Sequence, residues 1–189
     1  MPTKIGIINS ALLKLGADRL TSLSENRKSA ILMNEQWDEI RQKVLREGQW
    51  NCALKRVELS QSSTPPAYGW QYAYSLPDDC LKVLKYARKT DDDYFDFQIE
   101  GRTLVTDETT AKIRYIYDLT DVSQFDASLA EALSCALAAD LGYAITQNAS
   151  LTQAAEAKYK EAIKISRSMD AQEGIPDQYD DDEWITSRA

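Results

Sequence analysis

Apolar residues recur at steps of three and four near the start of the chain. Ile5, Ile8, Leu12 and Leu15 share one face of a helix predicted over 4–16. Thr3 is placed to cap it and Gly16 to end it. A longer stretch, 25–47, carries Ala30, Met33, Trp37, Ile40 and Val44 at the same steps. Glu35, Asp38, Glu39, Arg41 and Lys43 fall on its other faces. Ser22 and Glu25 have capping-box spacing ahead of it, and Gly48 follows as a stop.

Between about 54 and 118 the period falls to two. Val57 and Leu59 alternate with charged neighbours, and Ser62 to Pro66 is punctuated as a loop. Trp70, Tyr72 and Tyr74 alternate, as do Phe95, Phe97 and Ile99. Glu100-Gly101 reads as a turn into Thr103, Leu104 and Val105, and Ile113, Tyr115 and Tyr117 close the block. Short strands rich in tyrosine and β-branched residues predict a small antiparallel β-sheet.

The helical period then returns. Asp126 is a cap for a helix over 127–146, with Leu129, Leu133, Leu137 and Leu141 on one face. Ala132, Ala136, Ala139 and Tyr143 line the next face, and so wide an apolar arc predicts a central, buried helix. Asn148 and Ala149 break it, and Ser150 with Gln153 has capping-box spacing. The last helix, 150–173, is expected to turn Leu151, Ala155, Tyr159, Ala162, Ile165 and Met169 inward. The fold class is therefore α+β, mainly α. Two N-terminal and two C-terminal helices form a four-helix unit with the small sheet inserted. This makes one domain over 1–173, followed by an extended acidic tail, 174–189.

Composition narrows the chemistry. The chain has 189 residues, 43% of them hydrophobic, enough for one domain with a real core. No apolar run approaches the roughly 18 residues that span a bilayer. The opening residues lack a signal-peptide pattern, so folding in a cytoplasm and no membrane partner are expected. There is no histidine, which removes the commonest general base and transition-metal ligand. Cys52, Cys80 and Cys135 are far apart and odd in number, the pattern of plain thiols. No glycine-rich phosphate loop occurs among the seven glycines. No cofactor and no metal is expected.

Three sets of residues remain as candidates. Asp91-Asp92-Asp93 offers oxygen ligands, but lacks the turning glycine and bidentate glutamate of a calcium loop, and reads as a solvated loop. Glu131 is the best candidate for a carboxylate acid because it opens the most apolar helix. As a first-turn acid it has a simpler role beside the helix dipole. The aromatic face around Trp70 could stack bases, but no basic groove accompanies it, and core packing explains it better.

The net charge of −8 comes from 30 acidic and 22 basic side chains. Half of it lies in the last sixteen positions, which hold five acids and one base. Trp184 and Ile185 follow this acidic run, where a segment that only solvates has no use for them. Tyr179, Asp181, Asp182, Trp184, Ile185 and Arg188 are therefore read as a partner-binding segment that orders on contact.

Several strings, in this order, resemble a known family. They are Asn9-Ser10-Ala11-Leu12-Leu13-Lys14-Leu15-Gly16, Val44-Leu45-Arg46-Glu47-Gly48-Gln49-Trp50-Asn51, and Trp70-Gln71-Tyr72-Ala73-Tyr74-Ser75-Leu76-Pro77-Asp78-Asp79-Cys80-Leu81. Tyr117-Asp118-Leu119-Thr120-Asp121, the helix bearing Leu137-Ala138-Ala139-Asp140-Leu141, and an Ala- and Lys-rich final helix follow. Together they resemble the tail tubular protein A, or gatekeeper, family of head-to-tail adaptors of short-tailed bacteriophages, over about residues 5–173. The resemblance implies a non-enzymatic virion protein, assembled in the host cytoplasm. It implies a ring of copies, commonly about twelve, between the portal protein and the tail nozzle or tube. DNA would pass through the channel without specific binding, and the tail would reach a neighbouring copy or the portal. Three alternatives stand beside it: a tail-associated carboxylate hydrolase, a nucleic-acid-binding module, and a head-closure connector of a long-tailed phage.

Overall fold

The computed structural model describes residues 1–48, 50–84 and 96–173. The Asp91-Asp92-Asp93 run, Phe95 and the whole 174–189 segment lie outside the described residues.

Helix α1 is Lys4–Lys14, and Thr3 Oγ1 accepts the Gly6 N–H at 3.1 Å as expected of its cap. Gly16 follows with φ 65°, a conformation that glycine adopts without strain. The single helix expected over 25–47 is two, α2 Lys28–Glu35 and α3 Trp37–Glu47. The joint is slight. Gln36 keeps near-helical angles, donates to the Leu32 carbonyl and accepts from the Ile40 N–H. The late start has a clear cause. Glu25 Oε1 is engaged by the Thr21 and Ser22 N–H groups and by the Thr21 hydroxyl, at 2.6–2.9 Å. The capping-box pair closes a separate turn ahead of the helix.

Helix α4, Ala127–Thr146, opens on Asp126, whose Oδ1 accepts the Leu129 N–H at 2.6 Å. Helices α1, α2, α3 and α5 (Ala149–Glu173) all pack on it. Among the described residues, α4 is the one helix long and apolar enough to span a bilayer, contrary to the expectation that no run comes close. Its Leu and Ala side chains are instead buried against the other helices, as a core helix requires. Tyr143 departs from the expected buried face and is 61% exposed.

Helix α5 differs most from expectation. Its cap is Asn148, whose Oδ1 accepts the Ser150 and Leu151 N–H groups. Its inward stripe is Thr152, Ala155, Tyr159, Ala162, Ile163 and Ser166. Leu151 and Ile165, expected inside, are 37% and 50% exposed. Gly142 explains the rotation. A Cβ there would lie 3.0 Å from Thr152 Oγ1 and 3.1 Å from Leu15 Cδ2. The bare glycine lets α5 seat Thr152 directly on α4, and the other residues follow.

Among the described residues, the block 54–117 holds six strands in two sheets, where one sheet was expected. They are β1 Leu54–Glu58, β2 Tyr72–Ser75, β3 Cys80–Leu84, β4 Phe97–Glu100, β5 Thr103–Thr106 and β6 Lys112–Tyr117. The antiparallel orders are β1-β6-β3 and β2-β5-β4. Trp70 precedes β2 rather than extending it. Past Glu58 the chain passes from one sheet to the other. Leu59 N–H still bonds the Ala111 carbonyl, but the Ser60 carbonyl accepts from Ser75 and Ser62 N–H donates to Ala73. The sheets enclose a second core of Leu59, Tyr74, Cys80, Leu104, Ala111, Ile113 and Tyr115. Leu84 and Ile116 belong instead to the larger helical core.

Candidate functional site

Residues from three of the strings quoted above gather at two joints of the fold. At the first, Trp50 is fully buried beneath the end of α3, and its indole N–H donates to the Val44 carbonyl at 3.0 Å. Gly48 is required there, because a Cβ would meet the indole ring at 2.5 Å. The string ending in Gly and Trp is thus a helix stop built around one ring.

The second joint ties helices to strands. Arg41, on α3, is 2% exposed. It donates to the Leu119 carbonyl at 3.1 Å and pairs with Asp118 at 3.0 Å and Asp38 at 3.2 Å. Gln42 donates to the other Asp118 oxygen at 2.9 Å. The pairing is imperfect: Arg41 Nε has no acceptor, and Asp118 Oδ1 is within ionic reach without being well aligned for a hydrogen bond. We weigh it as an ion pair lacking full hydrogen-bond geometry.

The Leu-Pro-Asp-Asp string serves the same joint. Asp79 accepts from Lys55 at 2.8 Å and from the Tyr115 hydroxyl at 3.1 Å, and its carbonyl takes the Asp118 N–H at 2.7 Å. Burial alone would raise the Asp79 carboxyl, but the hydrogen bonds from Lys55 and Tyr115 prevail and hold it below its usual range. Burial first, and then Asp79, push Tyr115 up to about 12. Lys55 also lies 3.8 Å above the Tyr117 ring.

The chemical candidates are placed differently. Glu131 has a 56% exposed side chain and pairs with Lys14 at 3.1 Å. Lys14 also bonds Ser10 at 3.0 Å and Ser134 at 2.9 Å, which makes it a clasp between α1 and α4. A catalytic acid needs an apolar enclosure, and Glu131 lacks one. Trp37 and Trp50 are core residues as expected, while Trp70 is half-buried. The cysteines are free thiols, and burial pushes all three upward, Cys52 to about 11. No cluster of three metal-ligating side chains occurs among the described residues. The six partner-binding candidates, Tyr179 to Arg188, lie outside them.

Among the described residues, open clefts mark the helical surface in at least two places. One, of about 550 Å³, lies between the start of α2 and the α4–α5 turn, lined by Leu15, Arg27, Lys28, Ile145 and Leu151 among others. The other, of about 480 Å³, runs between the starts of α1 and α4 and includes Pro2, Gly6, Ile7 and Ala130. Sequence patterning had no means of finding either, since each is made by elements distant along the chain. No family model matches the chain, and no curated protein matches it.

Proposed function

We propose that the chain is a non-enzymatic structural subunit of a bacteriophage tail, a head-to-tail adaptor seated as a ring between the portal and the tail nozzle or tube. The observation that carries this reading is the ordered set of strings resembling the adaptor family. Its support in the fold is that several of these strings sit where elements join: the Trp50 stop, the Asp79 and Asp118 junction, and the central helix α4. The helices act as a four-helix-type body, with α2 and α3 counting as one bent helix. In this reading the acidic 174–189 segment binds the portal or a neighbouring copy.

Electrostatics favour the same reading. A wall repeated from copies that each carry −8 repels phosphate and lets DNA pass without trapping it. Glu131, exposed and clasped by Lys14, favours structural work over hydrolysis.

Native mass spectrometry tests the proposal, using the full chain, a chain ending at Glu173, and the portal protein encoded beside it. The full chain is expected to be monomeric alone and to join the portal as a multi-copy ring. The shortened chain is expected to bind weakly or not at all. A full chain that never joins the portal refutes the adaptor reading.

A further inference from the structure

The face of the β1-β6-β3 sheet that meets the helices changes character along its length. Leu54, Ile116 and Leu84 lie on it and pack into the helical core. In the next cross-strand pair, Arg56 and Arg114 stand directly opposite each other. Like charges so placed repel, and neither guanidinium has a hydrogen bond or ion pair among the described residues. Arg56 is exposed and Arg114 half-buried. The same face holds Lys82, which donates to the Arg46 carbonyl at 3.3 Å, and the Lys112–Glu58 pair at 3.6 Å. The bordering end of α3 adds Arg46 and Glu47. Both acids are already engaged, Glu58 by Lys112 and Glu47 by the Tyr159 hydroxyl. Positive charge is therefore in excess on this face, although the chain as a whole stands at −8.

Two acidic runs lie outside the described residues. The 85–95 stretch holding Asp91-Asp92-Asp93 also has three bases and is neutral overall. The 174–189 segment has five acids and one base, with Asp180 to Glu183 consecutive and Trp184 next. Arginine suits both parts of that run, since guanidinium pairs with carboxylates at two points and stacks on aromatic rings. The segment also starts on the right side of the molecule. Thr152 lies against Gly142, so α5 returns along α4 and brings Ser166 near the start of α4. Seven more residues, about 10 Å of helix, carry α5 past that point. Asp126, the cap there, touches Cys52 just ahead of β1, and Arg56 is only about 13 Å of strand further on. The ten residues 174–183 can span about 33 Å.

We propose that the 174–189 segment folds back on its own chain and lies across the Arg56–Arg114 pair, with Asp180 to Glu183 facing the two guanidinium groups. The contact belongs to the free chain and stands apart from the adaptor reading. A portal or neighbouring copy that takes up the segment has to displace it. Each surface pair is weak and screened by salt. Tethering makes the set effective, because a short link keeps the acids at high local concentration. A separate polyphosphate has no such tether and meets the repulsion of an acidic chain.

Carbodiimide coupling, which joins lysine amines to carboxylates without a spacer, tests this on the full chain at low concentration. Peptide mapping of the monomer is expected to find Lys82 or Lys112 joined to the 180–183 acids, with the Lys55–Asp79 pair as internal reference. Arg56→Gln with Arg114→Gln should cut those links about tenfold while leaving every coupling partner in place. About 1 M salt should do the same in the parent chain, which keeps the test decisive if the variant fails to fold. No links, or links spread equally over the α5 lysines, overturn the proposal. So do links from Lys82 and Lys112 to Asp91-Asp92-Asp93 instead, or links formed only between differently labelled copies. A short DNA duplex that abolishes the links at physiological salt overturns it in favour of a nucleic-acid face. Portal binding by a chain without these links sinks only this contact. Links in a chain that never joins the portal leave the contact standing and sink the adaptor reading.

Discussion

Replacing Arg41 by methionine isolates what the helix-to-strand clamp contributes, because methionine keeps most of the buried aliphatic length. The Leu119 carbonyl would lose a charged donor at 3.1 Å, a loss of roughly 1.5–3 kcal/mol. Breaking a fully buried ion pair costs about 3–5 kcal/mol, but three features lower that here. Asp118 is 22% exposed overall and Gln42 still holds its Oδ2, which offsets part of the loss at Oδ1, itself shut off from water. Asp38 is 75% exposed and contributes little. The substitution also removes the unsatisfied Nε. The net expectation is a destabilisation of about 2 kcal/mol, which lowers a urea midpoint by about 1 M at a slope of roughly 2 kcal/mol/M. Asp118→Asn should cost as much or more, because it leaves the buried Arg41 with only the exposed Asp38 as a counter-charge. The double variant should lose clearly less than the sum of the two, a coupling above about 1 kcal/mol. The clamp argument is wrong if Arg41→Met changes stability by less than about 0.5 kcal/mol, or if the two changes simply add.

Three further expectations concern single positions. Gly48→Ala drives a Cβ into the fully buried Trp50 ring, so a cost of about 2 kcal/mol and a Tm drop of about 6 °C are expected in thermal unfolding. Gln147 holds φ 55° at the end of α4; Gln147→Gly should relieve it and add about 0.5–1 kcal/mol in the same assay. The Asp79–Tyr115 pair contributes to both flanks of the pH–stability curve. The depressed Asp79 stabilises fully above the ordinary carboxylate range, and this is lost as pH falls through its folded value, so Asp79→Asn should flatten the acid flank. The raised Tyr115 stabilises fully below about pH 10, and this is lost as pH climbs toward about 12, so Tyr115→Phe should flatten the alkaline flank.

Local signals were legible where one residue type does one job. Thr3 and Asp126 cap their helices, Gly16 and Gly101 turn the chain, and Trp37 and Trp50 fill the core. What escaped the sequence depended on contacts between distant elements. The apolar pattern of α5 favours Leu151 and Ile165 inside, yet Gly142 admits Thr152 to α4 and turns them out. Periodicity marks strands, but the partition into two sheets depends on where the chain stops pairing with Ala111 and begins pairing with Ser75. The Arg41 clamp joins residues 78 positions apart, and alternation assigned that arginine to an outer face. The strings ending in Gly48-Gln49-Trp50 and Pro77-Asp78-Asp79 were visible as strings, while their placement at joints was not.

The excursion of strands out of the helical body also bears on how such a chain can change over generations. It leaves after Ala53 and returns at Leu119, and its first and last strands are direct neighbours, with Leu54 opposite Ile116. Exit and entry therefore share one narrow doorway, further fastened by the Tyr117 hydroxyl on the Cys52 carbonyl at 3.4 Å. Insertions, deletions or grafts confined to 60–76 and to the β4–β5 hairpin leave that doorway intact, whereas Asp79 and β3 are tied to the body, since Asp79 takes the Asp118 N–H and Leu84 packs in the helical core. Asp118 and Leu119 have no such licence, since Arg41 holds both. Descendants of this chain are thus free to diversify the outer strands for new attachments while inheriting the doorway unchanged.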